Sequence, residues 1–84
     1  MKRLKTSDGA KNLIYKRLKE VREKRGLSQS QLAVKMQLFG CDVDKNVITR
    51  LELGKRYVTD FELYALKEIL NVSYEYLIDG VEKN

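Results

Sequence analysis

Histidine and proline are absent from this 84-residue chain, cysteine occurs once and glycine five times. Without histidine the chain lacks the commonest general base and metal ligand, which argues against acid–base or metal catalysis. Cys41 has no partner for an internal disulfide, and one thiol makes a zinc site implausible; both fit a reducing cytoplasm. Neither GxGxxG nor GxxxxGK[ST] occurs, so no glycine-rich phosphate loop is present. No apolar run approaches the ~18 residues of a membrane span. The opening MKRLKTSDGA has charges but no hydrophobic segment behind them, which is not a secretory signal. The expectation is a non-enzyme with no cofactor, no metal, no membrane association and no small-molecule ligand. With proline missing and glycine scarce, helices meet few breakers.

What is present is a chain of one-domain size, 43% hydrophobic and 35% charged. The net charge of +5 is unevenly spread. Residues 1–30 carry +7, residues 31–56 carry +2 and residues 57–84 carry −4. A basic first two thirds suits a polyanionic partner; a lysine-rich solvated surface is the plainer alternative.

Five helices follow from caps and spacing, and no stretch alternates with period two for long enough to be a strand. Helix one is expected from about Asp8 to Arg25, with Leu13/Ile14, Leu18, Val21 and Arg25 on one face and Gly26 as its stop. Ser28 and Gln31 have capping-box spacing for helix two, whose buried stripe is Leu32, Ala33, Met36 and Phe39. Gly40 ends it. Asp44 is an N-cap for helix three, Lys45 to about Leu53, which Gly54 closes. Thr59 and Glu62 repeat the capping box before helix four, Asp60 to Leu70, apolar over most of its circumference. Such a helix belongs in the core or against another subunit. Ser73 caps a short final helix, Tyr74 to Ile78. The expected organisation is a flexible basic arm over residues 1–7, a helical domain over 8–79 and a short tail over 80–84.

Within this frame KNVITRLELGKR, Lys45 to Arg56, stands out. Val47, Ile48 and Leu51 require a core, whereas Lys45, Asn46, Thr49 and Arg50 form a row of long hydrogen-bonding side chains with no acid among them. Helices two and three, joined by GCDVD, have the outline of a helix-turn-helix. Lysine and arginine match the two major-groove acceptors of guanine, and asparagine matches the donor and acceptor of adenine. A solvated helix face is the competing reading of the same row.

The ordered set REKRGLSQSQLA (Arg22 to Ala33), ITRLELGKR (Ile48 to Arg56) and ALKEILNVSYEYLI (Ala65 to Ile78) resembles the XRE-type, Cro/phage-repressor-like helix-turn-helix regulators. The turn LFGCDVDK departs from the pattern by being several residues longer than the family's usual one. The resemblance implies an all-α, compact five-helix lambda-repressor-like domain that binds double-stranded DNA. It implies base contacts from Lys45, Asn46, Thr49 and Arg50, and backbone contacts from Gln29, Ser28, Lys55, Arg56 and Tyr57. It also implies a structural ion pair between Arg22 and Glu52. A transcriptional repressor acting as a homodimer in a bacterial or phage-encoded cytoplasmic setting is the expectation. The alternative is a helix-turn-helix protein-interaction module such as an antitoxin or adaptor, marked by an exposed apolar patch on helix four. Lys2, Arg3 and Lys5 are candidates for an arm in the minor groove. Cys41 sits in the turn beside Asp42 and Asp44, which would raise its pKa and make a redox role unattractive.

Overall fold

The computed structural model describes residues 6–81. Within them lie five α-helices and no strand: α1 (Tyr15–Lys24), α2 (Gln29–Phe39), α3 (Lys45–Glu52), α4 (Asp60–Leu70) and α5 (Tyr74–Asp79). The capping chemistry is local and explains most of the boundaries. Ser28 accepts from the Gln31 amide while the Gln31 side chain accepts from the Ser28 amide, and Thr59 and Glu62 do the same for α4. Asp44 accepts from the Val47 amide and Ser73 from the Tyr76 amide. α2 and α4 end on the left-handed residues Gly40 and Asn71.

The first helix is shorter than its sequence suggests. It begins at Tyr15, and Asp8 to Ile14 form a hydrogen-bonded turn region instead. Gly9 has a positive φ, the Gly9 amide donates to the Thr6 carbonyl, and the Thr6 amide donates to the Ala10 carbonyl. The Asn12 side-chain oxygen then takes the Ile14 amide (3.0 Å), substituting for a helical turn. Leu13 is exposed rather than on the buried face. Arg25, expected to line that face, lies at its exposed end and donates to the Leu70 carbonyl at 2.8 Å, tying α1 to the end of α4. The arm residues Lys2, Arg3 and Lys5 lie outside the described residues; Thr6 and Ser7 belong to the turn.

The core gathers Ile14, Leu18 and Val21 from the first segment, Leu32, Ala33 and Met36 from α2, Ile48 and Leu51 from α3, Ala65, Leu66 and Leu70 from α4, and Leu77 from α5. α3 packs on both α1 and α2, α4 on α2, and α5 on α1. Burying side chains of this kind contributes roughly 1.5–3 kcal/mol for each large one. The longer turn is part of this core. Cys41 and Val43 are both buried, and the Gln37 side chain donates to the Val43 carbonyl at 2.7 Å. Two inward-facing residues thus pin the five residues between α2 and α3. α4 buries only one side: Phe61 and Tyr64 remain exposed, with Phe39 edge-on to Tyr64 at 5.6 Å between ring centroids.

Candidate nucleic-acid interface

α3 divides cleanly. Ile48, Leu51 and Glu52 are buried, whereas Lys45, Asn46 and Arg50 are exposed and Thr49 is half-buried. The first turn of α3 itself carries no acid, and the exposed Asp44 carboxylate just before it accepts from the Val47 amide.

Behind this face runs a chain of hydrogen bonds through three helices. Arg22 Nε donates to Glu52 Oε2 at 2.5 Å and its Nη2 donates to Oε1 at 3.1 Å, a two-pronged pair with both side chains nearly covered. Arg22 Nη1 donates to the Leu27 carbonyl (2.8 Å). The hydrogen bond to Glu52 raises the Arg22 pKa further above its already high ordinary value. Glu52 Oε1 also accepts from Gln29 Nε2 (3.0 Å). A carboxylate only accepts, so the nitrogen end of the Gln29 amide must face Glu52 and its oxygen must face Thr49. Thr49 Oγ1 lies 2.9 Å from that oxygen and 3.0 Å from the Lys45 carbonyl. Both neighbours are acceptors, so the single Thr49 proton is spent inside the protein. What Thr49 retains for a ligand is its methyl group and an oxygen lone pair.

The other backbone-contact residues are differently occupied. The Ser28 hydroxyl and amide are both used in the capping box. A capping box satisfies two of a helix's four orphan amides, and the remaining ones at the start of α2 stay available to an anion. Arg56 Nη1 donates to Glu62 Oε1 at 2.8 Å and to the Tyr57 carbonyl at 3.2 Å, so part of this guanidinium is committed to closing the loop onto α4. Burial pushes the Glu62 carboxyl up, but the Arg56 hydrogen bond and the Thr59 amide outweigh it and hold it below its ordinary value. Lys55 and Tyr57 are exposed.

Asn12 has no counterpart in the sequence reading. Buried, it donates to the Leu51 carbonyl at 3.1 Å and the Arg56 carbonyl at 2.9 Å, holding the exit of α3 and the loop after it. Nothing local signals this, because both acceptors are about forty residues away in sequence. Cys41 is buried, and its pKa is raised by desolvation and by Glu62 rather than by the neighbouring Asp42 and Asp44. No group of three His, Cys, Asp or Glu among the described residues is placed to hold a metal ion. No helix among them is long and apolar enough to cross a membrane.

A capped second helix, a turn anchored by buried Cys41 and Val43, and a third helix with one apolar and one exposed basic face form a helix-turn-helix. The helix-turn-helix family model matches residues 18–77, from within α1 to within α5, and the chain belongs to the XRE-type helix-turn-helix family. No curated protein and no solved structure matches the chain significantly.

Proposed function

We propose that this protein is a sequence-specific transcriptional regulator, a repressor that occupies an operator as a homodimer. α3 enters the major groove. Lys45, Asn46 and Arg50 read base edges, and Thr49 contributes its methyl group, which suits the methyl of thymine. Gln29, held by Glu52 and Thr49, and Lys55 meet the backbone with Tyr57 and the uncommitted part of Arg56. Ser28 organises the start of α2, and its hydroxyl, which accepts from the Gln31 amide, still has its proton to donate to a phosphate. The observation that carries the reading is the joint exposure of Lys45, Asn46 and Arg50 over two turns of a helix whose other side is core. One short helix reads few base pairs, and two-fold pairing doubles the site. The surface for that pairing is α4, with its exposed Phe61 and Tyr64, or the Tyr74–Ile78 end, both in the third of the sequence whose net charge is −4.

Selection of bound duplexes from a random DNA pool tests this. Enrichment of a two-fold motif with half-sites about one helical turn apart supports it. Absence of enrichment, with only weak salt-sensitive binding, refutes it. One observation favours the second reading, a protein-interaction module: α4 exposes Phe61 and Tyr64, and α2 exposes Val34 and Leu38. A partner protein that binds with Lys45, Asn46 and Arg50 replaced by alanine would support that reading.

A further inference from the structure

The segment before α1 lies outside the span matched by the family model, which starts at residue 18. It is nevertheless bound to the loop that leaves α3. The Lys11 amide donates to the Gly54 carbonyl (2.8 Å), and the Asn12 side chain holds the Leu51 and Arg56 carbonyls. Contact at Gly54 is so close that a Cβ there would lie 2.9 Å from the Ala10 Cβ. Lys55 follows Gly54 directly in the chain, so the backbone of Lys11 adjoins that of Lys55; the Lys11 side chain is half-buried and that of Lys55 exposed. The Lys11 ammonium lies 5.5 Å from the centre of the Tyr57 ring. No carboxylate among the described residues lies within ion-pair distance of it.

We propose that Lys11 is a further DNA-phosphate contact, placed by the Tyr57 ring next to Lys55, so that the strap Thr6–Asn12 and the loop after α3 form one backbone clamp. This rests on the DNA-binding reading of α3. A ring face attracts an ammonium without consuming its N–H donors, so the cation is held in place and still able to donate to a phosphate oxygen. Two cations on adjoining backbone positions neutralise neighbouring phosphates. A salt bridge would have spent the same charge inside the protein. The role of Tyr57 follows: it is a platform for Lys11 at least as much as a contact in its own right.

The test is a salt titration of the full chain on a labelled mixed-sequence duplex two helical turns long, read by fluorescence anisotropy. Lys11→Met removes the charge and keeps most of the stem; Lys11→Gln is the second variant, with a polar tip. Each neutralised phosphate contributes ~0.9 to the slope of log affinity against log salt. Both variants are therefore expected to lower the slope by ~0.9 and to weaken binding roughly eightfold at ~0.1 M salt. Lys11→Arg retains the wild-type slope. Tyr57→Leu retains the slope but lowers affinity. Lys67→Met is the control: that lysine also lies over a ring, Tyr74 at 5.4 Å, but on α4, where it pairs with Glu68 at 2.9 Å, and its loss leaves the slope unchanged. Thermal melts separate folding from binding. Unaltered slopes in Lys11→Met and Lys11→Gln, beside a steep wild-type slope, overturn this inference alone. A wild type that binds no duplex overturns both it and the DNA reading.

Discussion

Replacing Glu52 by glutamine is the most informative single change in this domain. Its carboxylate receives three donors: two from Arg22 (2.5 and 3.1 Å) and one from Gln29 (3.0 Å). A glutamine amide has only one oxygen, so in either orientation Glu52→Gln turns its NH2 group against an Arg22 N–H, and in one of them against the Gln29 amide as well. The buried Arg22 charge then keeps only the exposed Glu23 carboxylate, 3.9 Å away, as a counter-charge. Breaking a buried pair from one side costs about 3–5 kcal/mol. A domain of this size has roughly 4–13 kcal/mol of stability in all, so the loss is a large share of it. Urea unfolding followed by circular dichroism should show the midpoint fall sharply with the slope unchanged. Arg22→Met combined with Glu52→Leu removes both charges at once, and apolar replacement of a buried pair is often neutral. The double variant should recover most of the stability. Affinity for DNA should nevertheless stay below that of the wild type, because Gln29, a backbone contact, has lost the acceptor that fixes its amide. A double variant as unstable as Glu52→Gln would refute the charge-burial argument. A double variant that binds DNA as tightly as the wild type would refute the orienting role of Glu52.

Arg50→Ala should relax base preference at one position, at about 1–3 kcal/mol, as read by binding to single-base operator variants; unchanged preference everywhere would exclude it from base reading. Gly54→Ala places a side chain at φ 73° against Ala10, and with left-handed strain of about 1–3 kcal/mol the melting temperature should fall clearly. The Asp8 carboxyl is held down to about 2 by hydrogen bonds from Thr6, Tyr15 and the Ala10 amide. A lowered folded-state pKa gives stability that is present above the unfolded value of 3.8 and lost as pH falls towards about 2. Asp8→Asn should flatten that acid limb of the stability–pH curve. Cys41 should resist a thiol reagent in the folded protein and react fully in denaturant, since it is buried and its pKa is raised; fast labelling of the native state would show that the turn opens.

The parts of this architecture legible in the sequence are those with local causes. Ser28, Asp44, Thr59 and Ser73 cap the helices they precede because each cap and its amide are three residues apart. The exposed row on α3 follows from the same short-range periodicity. The start of α1 was not legible. Leu13 and Ile14 continue a helical spacing, but the chain there answers to acceptors on α3 and its loop through Lys11 and Asn12. Likewise, Arg56 reads as a free cation beside Lys55, although its partner Glu62 had already been assigned to a capping box. One carboxylate serves both. Thr49 reads as a free hydroxyl until Gln29, twenty positions earlier, is seen to claim its proton. What escapes the sequence in each case is competition between groups distant in the chain for one donor or acceptor.

The bonds from Asn12 to Leu51 and Arg56 also bear on the order of events when the chain folds. They close loops of 39 and 44 residues, among the longest closures in the molecule, and closure entropy grows with length. Helix α1 and the α2–α3 pair can assemble from near neighbours, but the strap can dock only after residue 56 has been made and α3 has settled. The same few bonds make it the segment with least to lose on opening, so hydrogen exchange should reach the Lys11 amide well before that of Leu18. The strap beside α3 thus cannot form before α3 itself, and it is expected among the first pieces to come loose on the folded protein.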